Sequence, residues 1–201
     1  MRNIVPITPA KLVAMTGGMR PAVVEQLGDR IRAARQELDL SVAALAERSD
    51  VSRRMLTQIE LGQANPSVST LDRVAAGLGT TFAALMGVGA DAPPDGVEVW
   101  STEGGSWSVL LDAIDTEGLS VETWKWKLVG EDQRLGGSGV PSPGVMIHVI
   151  DGALEIVCGE DVQVIEAGGS GRVITDQEYV YRARDAQGAV FTSVALQSRA
   201  G

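Results

Sequence analysis

The sequence predicts an α + β chain of two domains, an N-terminal five-helix bundle followed by a C-terminal antiparallel β-barrel. Three observations carry that prediction. Apolar residues recur at helical spacing up to Met86 and alternate in strand fashion from Val97 onward. Between them residues 87–96, GVGADAPPDG, form a Gly/Pro/Asp break without periodicity. Charge changes sign at the same place. Residues 1–86 hold ten Lys/Arg and eight Asp/Glu, a net of +2, whereas residues 87–201 hold seven and eighteen, a net of −11. The expected division is a disordered arm over 1–24, a helical domain over 25–87, a linker over 88–96 and a β-domain over 97–201.

The arm, beginning MRNIVPITPAKLVAMTGGMR, is weakly basic and lacks the clean apolar core and following cleavage site of a signal peptide. The first helix carries Ile31, Ala34 and Leu38 as a stripe. Residues 40–62, LSVAALAERSDVSRRMLTQIELG, read as two short helices joined by a tight turn. Ser41 and Ser52 are placed to cap them, because a serine hydroxyl accepts from the free amides of a first turn. Ala43, Ala44 and Ala46 permit close helix approach, and Leu45 and Val51 form the wedge between helices. Asp50 falls where the backbone is expected to turn left-handed, and Gly62 supplies a left-handed stop. Met55, Leu56 and Ile59 are assigned to the inner face of the second helix, and Arg53, Arg54, Thr57 and Gln58 to the outer one. Downstream, Ser67 caps a helix with Leu71, Val74 and Leu78 inside, and Gly79-Thr80 ends it and starts the fifth.

From Leu27 to Met86 these caps, stripes and stops resemble the Xre/phage-repressor family of helix-turn-helix proteins. The chain departs from that pattern at Asp50, where the family usually has glycine, and at Val42, where a polar phosphate-contacting residue is common. The resemblance implies that residues 52–61 are a recognition helix whose N-terminal half enters the major groove of double-stranded DNA. Arg53 and Arg54 can present bidentate donors to guanine or grip phosphates, Gln58 can pair with adenine, and Thr57 can meet a thymine methyl or a phosphate. Ser41, Ser52 and the backbone around Asn65 are candidate phosphate contacts. Arg35 and Glu60 match a pair that, in similar repressors, joins the first helix to the end of the recognition helix. A specific reader of this size is expected to work as a homodimer on a pseudo-palindromic operator.

After residue 96, short strands follow one another at about ten-residue intervals. Val97 and Val99, then Trp107, Val109 and Leu111, are expected to share faces by alternation, as are Trp124 and Trp126. Residues 149–156, VIDGALEI, and 165–169, IEAGG, are similar to the two motifs of the cupin family, which implies a jelly-roll-like barrel. Metal-binding cupins put two histidines and a glutamate in the first motif and a histidine in the second. Those positions here fall on Gly139, Pro141, Val145 and Tyr179. The single histidine, His148, is on the face opposite Val145 by strand parity, so no metal and no cofactor are expected. Trp124, Trp126, Val145, Ile147, Tyr179 and Tyr181 either fill the barrel or a dimer seam, or line a pocket for a small-molecule effector. The lone Cys158 excludes an internal disulfide and fits a reducing cytoplasm, as a buried thiol or a redox sensor.

The resulting expectation is a cytoplasmic, non-enzymatic transcriptional regulator, repressing by family default, with no membrane partner. Its rivals are a non-haem iron enzyme carrying the same two domains and a non-sequence-specific architectural or protein-binding module.

Overall fold

The computed structural model describes residues 18–88, 93–116, 118–136, 144–173 and 178–198. Five helices come first: α1 (Pro21–Glu37), α2 (Val42–Arg48), α3 (Arg53–Glu60), α4 (Val68–Leu78) and α5 (Phe82–Met86). The serines expected to cap do so. Ser41 Oγ accepts from the Ala44 amide at 3.1 Å, Ser52 Oγ from Met55 at 3.2 Å, and Ser67 Oγ from Thr70 at 3.2 Å. Asp50 stands at φ 49° and Gly62 at φ 66°. Arg73 of α4 donates to the Asp50 carbonyl at 2.7 Å, which ties the left-handed turn to the body of the domain.

Several sequence expectations change. Proline at its start lets α1 begin at Pro21, so the segment from residue 18 onward is ordered chain rather than arm, and residues 1–17 lie outside the described residues. Leu38 is the exposed C-cap of α1 and leaves the stripe, which instead runs through Val24, Leu27 and Ile31. Thr81, not Thr80, caps α5. Met55 is 38% exposed, because Leu56, Ile59 and Glu60 set the buried face and Met55 lies beside it.

Nine strands follow: β1 (Val97–Ser101), β2 (Trp107–Thr116), β3 (Leu119–Leu128), β4 (Gln133–Gly136), β5 (Gly144–Cys158), β6 (Asp161–Glu166), β7 (Ser170–Val173), β8 (Tyr179–Ala183) and β9 (Ala189–Ser198). Their order is β1-β2-β3-β9-β5-β8-β4, all antiparallel, with β6 and β7 also on β5. The long β5 is the corner of this curled sheet. Its first half pairs with β9 and β7, and its second half with β8 and β6. The turn of the corner is at the irregularity between Val149 and Asp151, next to Gly152 at φ 72°. A Cβ there would stand 2.0 Å from the Gly188 carbonyl oxygen. Bulges between Glu98 and Trp100 and between Leu110 and Asp112 shift strand parity. On β2 Ser108 and Leu110 are the buried positions, and Trp107, Val109 and Leu111 alternate with them as half-buried ones.

The helical and β-domains share one apolar core. Phe82 of α5 stacks on Trp124 of β3 at 6.0 Å, Thr81 donates its hydroxyl to Asp115 Oδ2 at 3.0 Å, and Arg20 pairs with Glu98 at 3.2 Å. Within the expected linker, Val88 is buried and residues 89–92 lie outside the described residues.

The corner makes a specific demand. Gly152→Ala combines a left-handed backbone with a backbone clash and is expected to destabilise the protein by about 1–3 kcal/mol. Urea unfolding of the two proteins measures it, and a loss below about 0.5 kcal/mol would mean that β5 turns the corner elsewhere.

Candidate nucleic-acid interface

The candidate DNA face is built on a buried ion pair. Arg35 of α1 forks onto Glu60 at the end of α3, Nε to Oε1 at 2.7 Å and Nη2 to Oε2 at 2.8 Å. Both side chains are largely buried, and the hydrogen bond to Glu60 raises the Arg35 pKa above its ordinary value. Arg35 Nη1 also donates to the Leu40 carbonyl at 2.9 Å, so one guanidinium fixes α1, the entrance of α2 and the end of α3. Arg32 adds a bond to the Glu60 carbonyl. Gly28 allows this proximity, since a Cβ there would lie 2.5 Å from the Ile59 carbonyl oxygen. Buried Leu56 and Ile59 fix the rotation of α3 about its axis.

With that face held, Arg53, Arg54 and Thr57 are exposed and Gln58 is half-exposed. Among the described residues the Arg53 and Arg54 side chains have no hydrogen-bond or ion-pair partner, and they are exposed on the first turn of α3. The Thr57 hydroxyl donates to the Arg53 carbonyl at 2.8 Å, which leaves its methyl group as the outward contact. Ser41 and Ser52 accept amide protons as caps and retain their own O–H for a phosphate. Asn65 is exposed, but its Oδ1 accepts from the Met19 amide at 3.4 Å, so the segment before α1 shares that position. Met55 adds an apolar group to this surface that the helical stripe had placed inside.

The other candidate residues lie in the barrel. Trp124 and Trp126 do face one side, stacked at 5.4 Å, and Trp126 stacks in turn on Phe191 at 5.9 Å. Tyr181 meets Trp126 and Phe191 at 6.1 Å and 5.5 Å, and Tyr179 packs edge-on to Tyr181 at 5.1 Å. Val145 and Ile147 are buried on the same inner side. These rings stack against one another on the inner side of the barrel. Trp126 Nε1 is satisfied by Ser193 Oγ at 2.9 Å. His148 faces outward and shares a 2.9 Å hydrogen bond with Ser170, and Cys158 is half-buried against the core. Gly139 and Pro141 lie outside the described residues.

The sequence reading did not find the polar group at the domain joint. Glu122 of β3 is 4% exposed and accepts from Trp124 Nε1 at 3.0 Å. Burial, reinforced by the charge of Asp72 on α4, pushes its pKa up to about 7. Burial likewise raises Asp72 to about 6. Across the sheet Glu122 faces Ala113 and Ala195, and Asp115 of β2 adds a further negative charge. Glu122 shares the buried face of β3 with Trp124 and Trp126, and the charge of Asp72 on α4 makes it a joint residue.

The family model described as "Helix-turn-helix", HTH_3, matches residues 31–85. An immunity repressor protein of Bacillus phage phi105 is 44% identical over 61 residues, 30% of this chain and 42% of that protein's length. The HTH-type transcriptional regulator SutR of Escherichia coli (strain K12) is 25% identical over 158 residues, 78% of this chain and 86% of that one. The crystal structure of an HTH_3 family transcriptional regulator from Vibrio cholerae shares the fold. It has a TM-score of 0.63 and 24% identity, and the match covers 89% of this chain and 99% of that chain.

Two outcomes follow from this geometry. Glu60→Ala leaves Arg35 buried without its carboxylate and is expected to cost about 3–5 kcal/mol of stability. It should also weaken binding to all DNA sequences alike. Thermal unfolding and titrations against variant operators check this, and a loss confined to one base position would contradict it. Because the folded pKa of Glu122 is raised, ionisation opposes the folded joint. Its contribution to stability is full below about pH 4.5 and declines as pH rises through about 7. Glu122→Gln should flatten that part of a stability-versus-pH profile, and an unchanged profile would remove Glu122 as its source. The match over residues 31–85, on a helix held by Arg35 and Glu60, makes the first domain a helix-turn-helix domain of the Xre/phage-repressor type.

Proposed function

We propose that this chain is a sequence-specific DNA-binding transcriptional regulator, a repressor controlled by a small molecule through a metal-free β-domain. The observation that carries the reading is the outward face of α3. Arg53, Arg54, Thr57 and Gln58 stand clear of the body, while Arg35 and Glu60 hold the helix beneath them. Such a face offers bidentate donors for guanine, an amide for adenine and a methyl for thymine. The names of the phage repressor and of the Escherichia coli regulator point the same way.

One such head buries little surface, so the working unit is a homodimer on a pseudo-palindrome, with half-sites about one helical turn apart. Its seam lies on the β-domain, where Met146, Ile150, Val162 and Val164 form exposed apolar positions on β5 and β6. The −11 charge of that half keeps it away from phosphate and leaves DNA to the first domain. Control passes through the stacked rings, which join the barrel interior to α5 by way of Trp124 and Phe82. An occupant that shifts the barrel rings tilts the head, and operator and effector then change each other's affinity by one factor.

An iron-dependent enzyme is not favoured, because a facial site needs two histidines and a carboxylate and the chain has one histidine, directed outward. No described helix is long and apolar enough to cross a membrane, and a cytoplasmic location suits a DNA-binding protein with one cysteine.

Selecting genomic DNA fragments with purified full-length protein tests the proposal. An enriched pseudo-palindrome is expected. Gln58→Ala should then relax the preference at one position per half-site by about 1–3 kcal/mol. No enrichment from folded protein, or equal loss at every position in the variant, would contradict it.

A further inference from the structure

We propose that the inner surface formed by Trp100, Arg134, Tyr179 and Tyr181 binds the carboxylate of a small organic acid, so that the effector is an organic anion. This rests on the reading of the chain as an effector-controlled regulator and adds the chemistry of the effector.

Strand register brings these groups together. Arg134 of β4 lies directly opposite Tyr181 of β8, and Gly136 lies opposite Tyr179. Residues directly opposite in an antiparallel pair project to the same side, and Tyr181 projects into the barrel against Trp126 and Phe191. Arg134 therefore carries a guanidinium into an aromatic interior. It sits 5.9 Å above the centroid of the Trp100 ring. The Gly136 position leaves room for Tyr179, since a Cβ there would be 2.2 Å from the phenol ring.

The second observation is independent of the arginine. Trp100 is 4% exposed, and its Nε1 has no hydrogen-bond partner. The buried indoles of Trp124 and Trp126 both have one. A buried N–H without an acceptor is costly, and native interiors rarely retain one unless a bound group supplies it. What the Trp100 indole lacks is an acceptor. A carboxylate has two oxygens, matches the planar fork of a guanidinium and can accept from the indole at the same time. The electrostatics agree. Burial lowers the Arg134 pKa, opposed by the phenols of Tyr179 and Tyr181, and burial raises the Tyr181 pKa well above its ordinary value. A neutral Tyr181 phenol can donate to an anion, and the cationic form of Arg134 is the one that an anion would stabilise. The surrounding rings suit an apolar or aromatic body behind the carboxylate.

The site also adjoins the route to DNA. Tyr181 touches Trp126, which stacks on Trp124 and so reaches Phe82 of α5. An anion drawn between Arg134 and Trp100 acts on the same column of rings that seats the head.

The test is equilibrium dialysis of the full-length protein with benzoate, beside benzyl alcohol as a neutral analogue and sulfate as an inorganic anion. Saturable benzoate binding is expected, with benzyl alcohol and sulfate at least about tenfold weaker. Arg134→Gln should lose about tenfold or more, and Trp100→Phe, which keeps a ring without the N–H, should lose severalfold. Arg134→Lys serves where the glutamine variant does not fold, and it should still weaken benzoate by removing the fork. Three results would overturn the proposal: no saturable benzoate binding to folded protein, benzyl alcohol or sulfate binding as well as benzoate, or variants that bind like the parent. Operator binding measured on the same samples separates the two readings. Intact DNA recognition without benzoate binding rejects this site alone, whereas loss of DNA recognition in the parent rejects the regulator.

Discussion

The geometry of the reading helix depends on one buried charge. Glu60 ends α3 inside the helical domain, where an unpaired carboxylate would be untenable, and Arg35 neutralises it with two parallel bonds while anchoring the Leu40 carbonyl. A short helix has little intrinsic stability, and α3 has eight residues. Its pitch and rotation are therefore set by tertiary contacts: the ion pair at its end, Leu56 and Ile59 beneath it and the Ser52 cap at its start. The residues that would meet DNA are oriented by residues that would not.

A second constraint is that the DNA-reading head is seated on the β-domain. Phe82 against Trp124, Thr81 on Asp115 and the Arg20–Glu98 pair make a joint of mixed character. Apolar stacking stabilises it, and the carboxylates of Glu122 and Asp72 oppose it when ionised. A joint balanced in this way is suited to adjustment, because a change of about 1–3 kcal/mol, the usual size of allosteric coupling, is enough to shift its population. The rings inside the barrel also connect it to the head, since the column from Phe191 through Trp126 and Trp124 ends on Phe82.

Much of the helical domain was legible because its rules are local. Ser41, Ser52 and Ser67 cap where a hydroxyl precedes an apolar stripe, Asp50 takes the left-handed turn, and the spacing of Arg35 and Glu60 matched a known pairing. Met55 was misplaced because a stripe fixes a helix face only to within one residue, and Leu56, Ile59 and Glu60 settled the phase. In the β-domain the alternation of Trp124 and Trp126 was readable, but the bulge between Glu98 and Trp100 on the β1–β2 pair and that between Leu110 and Asp112 on the β2–β3 pair were not, because periodicity carries no signal for a one-residue shift of register. The joint itself left no sequence trace. Phe82 meets Trp124 across forty-odd residues, and Arg134 joins Trp100 only after β4 pairs with β8. Contacts of that range depend on topology, which periodicity alone does not encode.

The most direct test of the account is hydrogen exchange on the full-length protein with and without its selected DNA. The central claim is that DNA meets the outer face of α3 and the start of α2. The account predicts slowed exchange at the amides of residues 41–44 and 52–58, with the β-domain strands unchanged apart from those at the α5 joint. Protection centred on the β-domain, with α3 exchanging as in the free protein, would contradict it.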